Sequence, residues 1–87
     1  MTPGETWALA LEVAEAMAFD WWSREELARV WGPVGSASAL VALRRYGLVE
    51  RVKRGPDWWS WRRCGDVIDW GAVSARYWAD ELGIGFF

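Results

Sequence analysis

Residues 36–63, SASALVALRRYGLVERVKRGPDWWSWRR, contain both a change of hydrophobic period and most of the chain's positive charge. In the first half Ser36 offers an N-cap oxygen, Ala37, Leu40 and Leu43 recur at helical spacing, and Gly47 supplies a stop. This spacing predicts a helix with those three apolar side chains inward and Ser38, Val41, Ala42 and Arg45 on the opposite, thinner face. After Gly47 the pattern turns β-prone, with strands expected over 48–54 and 58–63 around the turn residues Gly55, Pro56 and Asp57. Period two places Trp58, Ser60 and Arg62 on one face of the second strand and Trp59, Trp61 and Arg63 on the other. Only one of these faces can belong to the core, so at least one tryptophan is expected at the surface.

Moving towards the N-terminus, residues 32–35, GPVG, read as a four-residue turn in which Pro33 ends a helix, Val34 is a buried turn residue and Gly35 redirects the chain. The helix before it is framed by Ser23 and Glu26, which have capping-box spacing, and its buried stripe is expected from Leu27, Val30 and Trp31. The aromatic connector 19–22 suits a very short strand. A first helix should start at Thr2, Pro3 and Glu5 and run to about Phe19, with apolar residues on two adjoining faces.

Towards the C-terminus, Asp66 or Asp69 can cap a fourth helix over about 67–82, ended by Gly83. Its expected inner side is Ile68, Ala72, Ala75 and Leu82, with Trp70, Val73, Tyr77 and Trp78 widening the apolar surface. That surplus, with the terminal Phe86 and Phe87, points to a partner or dimer interface through Trp70, Tyr77, Trp78, Phe86 and Phe87, on helices 1 and 4 and the tail. The expected architecture is mainly α with a small β-hairpin, in the order α1, short β1, α2, α3, β2, β3, α4, as a single domain of 87 residues.

The segments SREELARVWG, GPVG, SASALVALRRY and LRRYGLVER resemble, in that order, the first helix, turn, recognition helix and wing entry of the winged helix-turn-helix DNA-binding domains. The resemblance covers about half the chain, with the helix-turn-helix at about 24–46 and the wing at about 48–63. It implies a small transcriptional regulator whose third helix enters the major groove of duplex DNA while the wing follows the backbone or minor groove. By that resemblance Ser36 and Ser38 would bond phosphates, Arg45 would reach a base edge or phosphate, and Ala42 and Arg44 would lie on the same contact surface. Arg51, Lys53 and Arg54 would bind along the wing with Arg62, and Arg54 beside the turn is suited to minor-groove insertion. Trp58 at the wing tip would stack on an unpaired base, contact a protein, or cover the hairpin.

Charge distribution agrees with that placement. The net charge is −2, yet residues 44–63 carry seven bases and two acids, between flanks of −4 and −3. A solvated basic face is the plain alternative. The third helix has few long polar side chains for reading bases, so affinity is expected mainly from phosphates and shape. The acidic total and surplus aromatics also suit a second reading, a module binding a protein in a transcription or replication complex. A third is single-strand binding by the aromatic wing.

Catalysis has little to work with: there is no His, the single Cys64 has no neighbouring base, and no Gly-rich phosphate loop precedes a helix. No enzyme activity, cofactor, metal or small-molecule ligand is expected. Cys64 cannot form an internal disulfide, and no apolar run approaches the ~18 residues of a membrane span, so a cytoplasmic protein without membrane contact is expected. The lack of Asn and Gln is compatible with a hot habitat.

Overall fold

In the computed structural model, which describes residues 2–18, 20–64 and 68–83, four helices pack with one small sheet. The elements are α1 (Pro3–Met17), β1 (Trp22–Ser23), α2 (Arg24–Trp31), α3 (Pro33–Arg45), β2 (Val49–Gly55), β3 (Trp58–Arg63) and α4 (Trp70–Leu82). The three strands are antiparallel in the order β1-β3-β2. Their succession is the expected one. Asp66 and Val67, Phe19, Phe86 and Phe87, on which parts of the helix 1, helix 4 and interface expectations fell, lie outside the described residues.

Local chemistry accounts for most of the element ends. The Thr2 hydroxyl accepts from the Glu5 amide, and Pro3 opens α1, where its missing N–H costs nothing. Ser23 and Glu26 form the complete capping box of α2. Asp69 caps α4 through the Ala72 amide, and Gly83 ends it in the left-handed conformation. Trp22 is tied back to α1 by its indole N–H, which donates to the Met17 carbonyl at 3.2 Å, an acceptor in the last turn of the helix that the Asp20 amide also reaches.

The start of α3 differs from expectation. Pro33 opens the helix instead of ending the previous one, so the connection between α2 and α3 is Gly32 alone, at φ 81°. Pro33 and Val34 are therefore helical, and Val34 is 75% exposed instead of buried. Ser36 lies a full turn inside α3, 1% exposed, with its hydroxyl donating to the Pro33 carbonyl. It is neither the N-cap nor open to a phosphate.

The core sits where α1, α3 and the base of the sheet meet. Trp7, Ala10, Val13, Ala14 and Met17 of α1 face Ala39, Leu40, Ala42 and Leu43 of α3, with Leu27, Leu48, Val49 and Trp61 closing the side. The small residues Ala10, Ala14 and Ala39 let the helix backbones approach, and removing this apolar surface from water is the main stabilising term. Four expected inner residues turn outward, beginning with Val30, exposed on α2, and Ala72 and Ala75, exposed on α4. Leu82 is exposed as well. The inner side of α4 is instead Trp70, Val73 and Tyr77. Tyr77 decides this orientation: its ring stacks on Trp7 at 4.4 Å and its hydroxyl donates to the Pro3 carbonyl at 2.8 Å. It is a core residue, not an interface one.

Candidate functional site

The hairpin register sorts the basic residues into two sets. Arg51 pairs across from Trp61 and Lys53 from Trp59, so these four share the face that descends into the core. The Arg51 guanidinium lies 4.2 Å from the Trp59 ring centre and 5.6 Å from that of Trp61, and Lys53 lies 6.0 Å from Trp59. On the other face Glu50 pairs with Arg62, whose Nε donates to the Glu50 carboxylate at 2.8 Å and whose Nη2 makes a second bond to the same oxygen. Arg54 and Arg62 also stand over the Trp21 ring, at 5.0 and 4.5 Å.

These contacts separate the expected contact residues. Arg62 has its charge paired within the fold, which removes it from the simple set of phosphate ligands. Arg45 is drawn towards Asp80 of α4, at 3.8 Å. Asp80 also accepts from the Tyr46 hydroxyl at 2.6 Å, and burial, followed by that bond, pushes the Tyr46 phenol up to about 12. Ala42 is 7% exposed and turned into the core, so it offers nothing to a partner. Ser38 is half-buried beside Arg45 and Tyr46.

Arg44, Arg51, Lys53 and Arg54 are exposed and make no ion pair among the described residues. One residue joins them that sequence reasoning passed over. Arg24, at the first position of α2, meets Arg44 of α3 and Arg51 of β2 around a groove of about 220 Å³ floored by Leu40, Val41 and Trp61. Three arginines from three elements line this groove, and no carboxylate residue does; planar Arg forks suit phosphate oxygens. The exposed stripe of α3 runs beside it and carries Val34 and Val41, the latter 69% exposed.

Arg24, Arg51 and Trp61 also line a second, larger cleft of about 630 Å³ between the start of α2 and β3, walled by Trp58 and Trp59. Trp58, at the hairpin tip, is 54% exposed, as the alternation required of one tryptophan. The Trp61 indole N–H is buried without a hydrogen-bond partner among the described residues.

Of the expected interface residues on α4, Trp78 is exposed, Trp70 is half-buried against the core and Tyr77 is inside. No helix among the described residues is long and apolar enough to cross a membrane, and they contain no cluster of three His, Cys, Asp or Glu able to hold a metal. Burial raises the Cys64 thiol above its ordinary value, which makes it a poor nucleophile. Comparison with protein-family models, with curated proteins and with solved structures gives no match.

Proposed function

We propose that this chain is a winged helix-turn-helix protein that binds duplex DNA and acts as a small non-enzymatic transcriptional regulator. The observation that carries the reading is the convergence of Arg24, Arg44 and Arg51 on one acid-free groove beside the exposed stripe of α3. In this reading α2, Gly32 and α3 are the helix-turn-helix, and β2 and β3 are the wing. Arg24, Arg44 and Arg51 hold phosphates, Lys53 and Arg54 continue along the wing, and Val34 and Val41 meet the groove floor through apolar contact such as thymine methyls. Base readout is weak, because the α3 stripe offers no amide and no unpaired long donor beyond Arg44. A second copy would join through the outer side of α4, where Trp78 and Leu82 stand out.

The test is fluorescence anisotropy of a labelled duplex across a salt series, with Arg24→Glu and Arg44→Glu variants. Binding should weaken with salt at a log–log slope near −0.9 per phosphate contact, and each reversed arginine should remove about one unit of slope. Absence of binding even at low salt defeats the proposal. A second reading has its own observation: Val34 and Val41, 75% and 69% exposed, form an apolar stripe that fits a protein partner. It requires Val34→Asp and Val41→Asp to abolish the function while the arginine reversals leave it intact.

A further inference from the structure

The cleft between α2 and β3 differs in kind from the arginine groove although Arg24, Arg51 and Trp61 line both. Its walls are indole rings: Trp58 at the open tip, Trp59 half-buried and Trp61 at the bottom. Besides the two arginines shared with the groove, its lining holds Ser23, Ala28 and two carboxylate residues, Glu25 and Asp57, which the groove lacks. A flat π-system is already seated in it, since the Arg51 guanidinium rests 4.2 Å from the centre of the Trp59 ring. At about 630 Å³ the cleft has the size of a small-molecule pocket.

We infer that this cleft receives one unpaired nucleobase next to the duplex, so that the protein recognises DNA with a frayed end, overhang or displaced strand in preference to blunt duplex. The inference rests on the duplex-binding reading and extends it to the structure of the DNA. The shared wall sets the orientation. A phosphate in the arginine groove draws Arg51 off Trp59, and the base attached to that strand takes the vacated ring face by stacking, which every base can do. Glu25 and Asp57 repel phosphate, so the backbone stays on the arginine side and the base enters. Their carboxylates then accept hydrogen bonds from an exocyclic amine, which favours cytosine or adenine over thymine. Arg51 thus stands in for the base in the unbound protein.

The experiment compares three labelled ligands in one buffer: a blunt duplex, the same duplex with a short cytosine overhang, and the overhang strand alone. A parallel overhang carries the fluorescent base 2-aminopurine. The expected results are an overhang duplex bound about 5- to 100-fold more tightly than the blunt one, quenching of 2-aminopurine on binding, and weaker preference for a thymine overhang. Trp59→Leu, and separately Trp58→Ala at the exposed tip, should bring the overhang duplex down to blunt affinity and leave blunt binding in place. Equal affinity for blunt and overhang duplexes overturns the cleft inference while the duplex reading stands, as does a preference that survives both substitutions. Overhang binding with no blunt binding supports the cleft and removes the duplex reading. Binding of neither overturns both.

Discussion

Two groups of aromatic rings, one among the helices and one at the hairpin, are finished to different degrees. Between α1, α3 and α4, Trp7, Tyr46 and Tyr77 pack ring on ring, with Trp7 at 4.4 Å from Tyr77 and 5.9 Å from Tyr46. Each polar handle there has a partner: Trp7 Nε1 donates to Ser74 at 2.9 Å, Tyr77 to the Pro3 carbonyl and Tyr46 to Asp80. On the hairpin the rings of Trp59 and Trp61, and beside it that of Trp21, are covered by guanidiniums, Trp58 stands open, and the Trp61 indole N–H has no partner among the described residues. A ring packed on a ring belongs to the core for good. A ring covered by a cation can exchange its cover; Tyr46, which also lies under Arg45 and Arg76 at the edge of the first cluster, shares this property with the rings near the hairpin.

The sharpest way to break this comparison is truncation at each end. Trp7→Ala should cost about 3–5 kcal/mol in denaturant unfolding, whereas Trp58→Ala should stay within about 0.5 kcal/mol; equal costs would end the distinction. Tyr46→Phe comes next, at about 1 kcal/mol for a bond to a carboxylate near the surface. The fold holds the Tyr46 phenol neutral, so its contribution is complete below its ordinary value of 10.0 and is lost as pH rises from there to about 12. Tyr77, also raised by burial, adds in the same direction. Alkaline unfolding should therefore steepen over that window in the wild type and less so in Tyr46→Phe.

Arg62→Ala should be smaller still, below about 1 kcal/mol, because its pair with Glu50 is half open to water. A larger loss would mean that the guanidinium cover over Trp21 is structural, making the hairpin more like the helical cluster. The smallest effect is expected for Gly55→Ala. A Cβ there would run into the five-membered ring of the Trp58 indole, an exposed side chain, so the ring has to swing away. Its indole N–H resonance should shift while stability changes by no more than about 0.5 kcal/mol.

Much of the fold was legible because caps are local. Thr2, Ser23, Asp69 and Gly83 act within a few residues of themselves, whereas the hairpin register does not follow from its turn, because it shifts by one residue between Lys53 and Gly55. Pro33 was misread because proline ends one helix and begins the next equally well; the choice was made by Gly32, whose positive φ lets the chain turn in one residue. The inner side of α4 was misread because it has two apolar stripes, and only docking of Tyr77 on Trp7 selects between them. The basic hairpin was visible from charge alone. Arg24 was not, since only the fold carries it beside Arg44 and Arg51. The Glu50–Arg62 pairing was hidden for the same reason: a turn at Pro56 and Asp57 alone sets Glu50 opposite Arg63, and the extra residue between Lys53 and Gly55 moves the partner to Arg62.

The strand order β1-β3-β2 leaves β2 on the outside of the sheet, seven residues long, with a row of backbone groups that no other strand among the described residues covers. Such an edge is a template on which another chain can grow, and lysine and arginine along it are a common safeguard against edge-to-edge aggregation. Arg51, Lys53 and Arg54 lie along this strand, so like-charge repulsion between edges should oppose association of copies, in addition to any role towards a ligand. Alanine at these positions would remove the ligand contact and the mutual repulsion together, leaving a precipitate hard to interpret. Glutamate reverses the sign but preserves like-charge repulsion between edges, so the charge-reversed protein should remain dispersed at concentrations where the neutralised one associates.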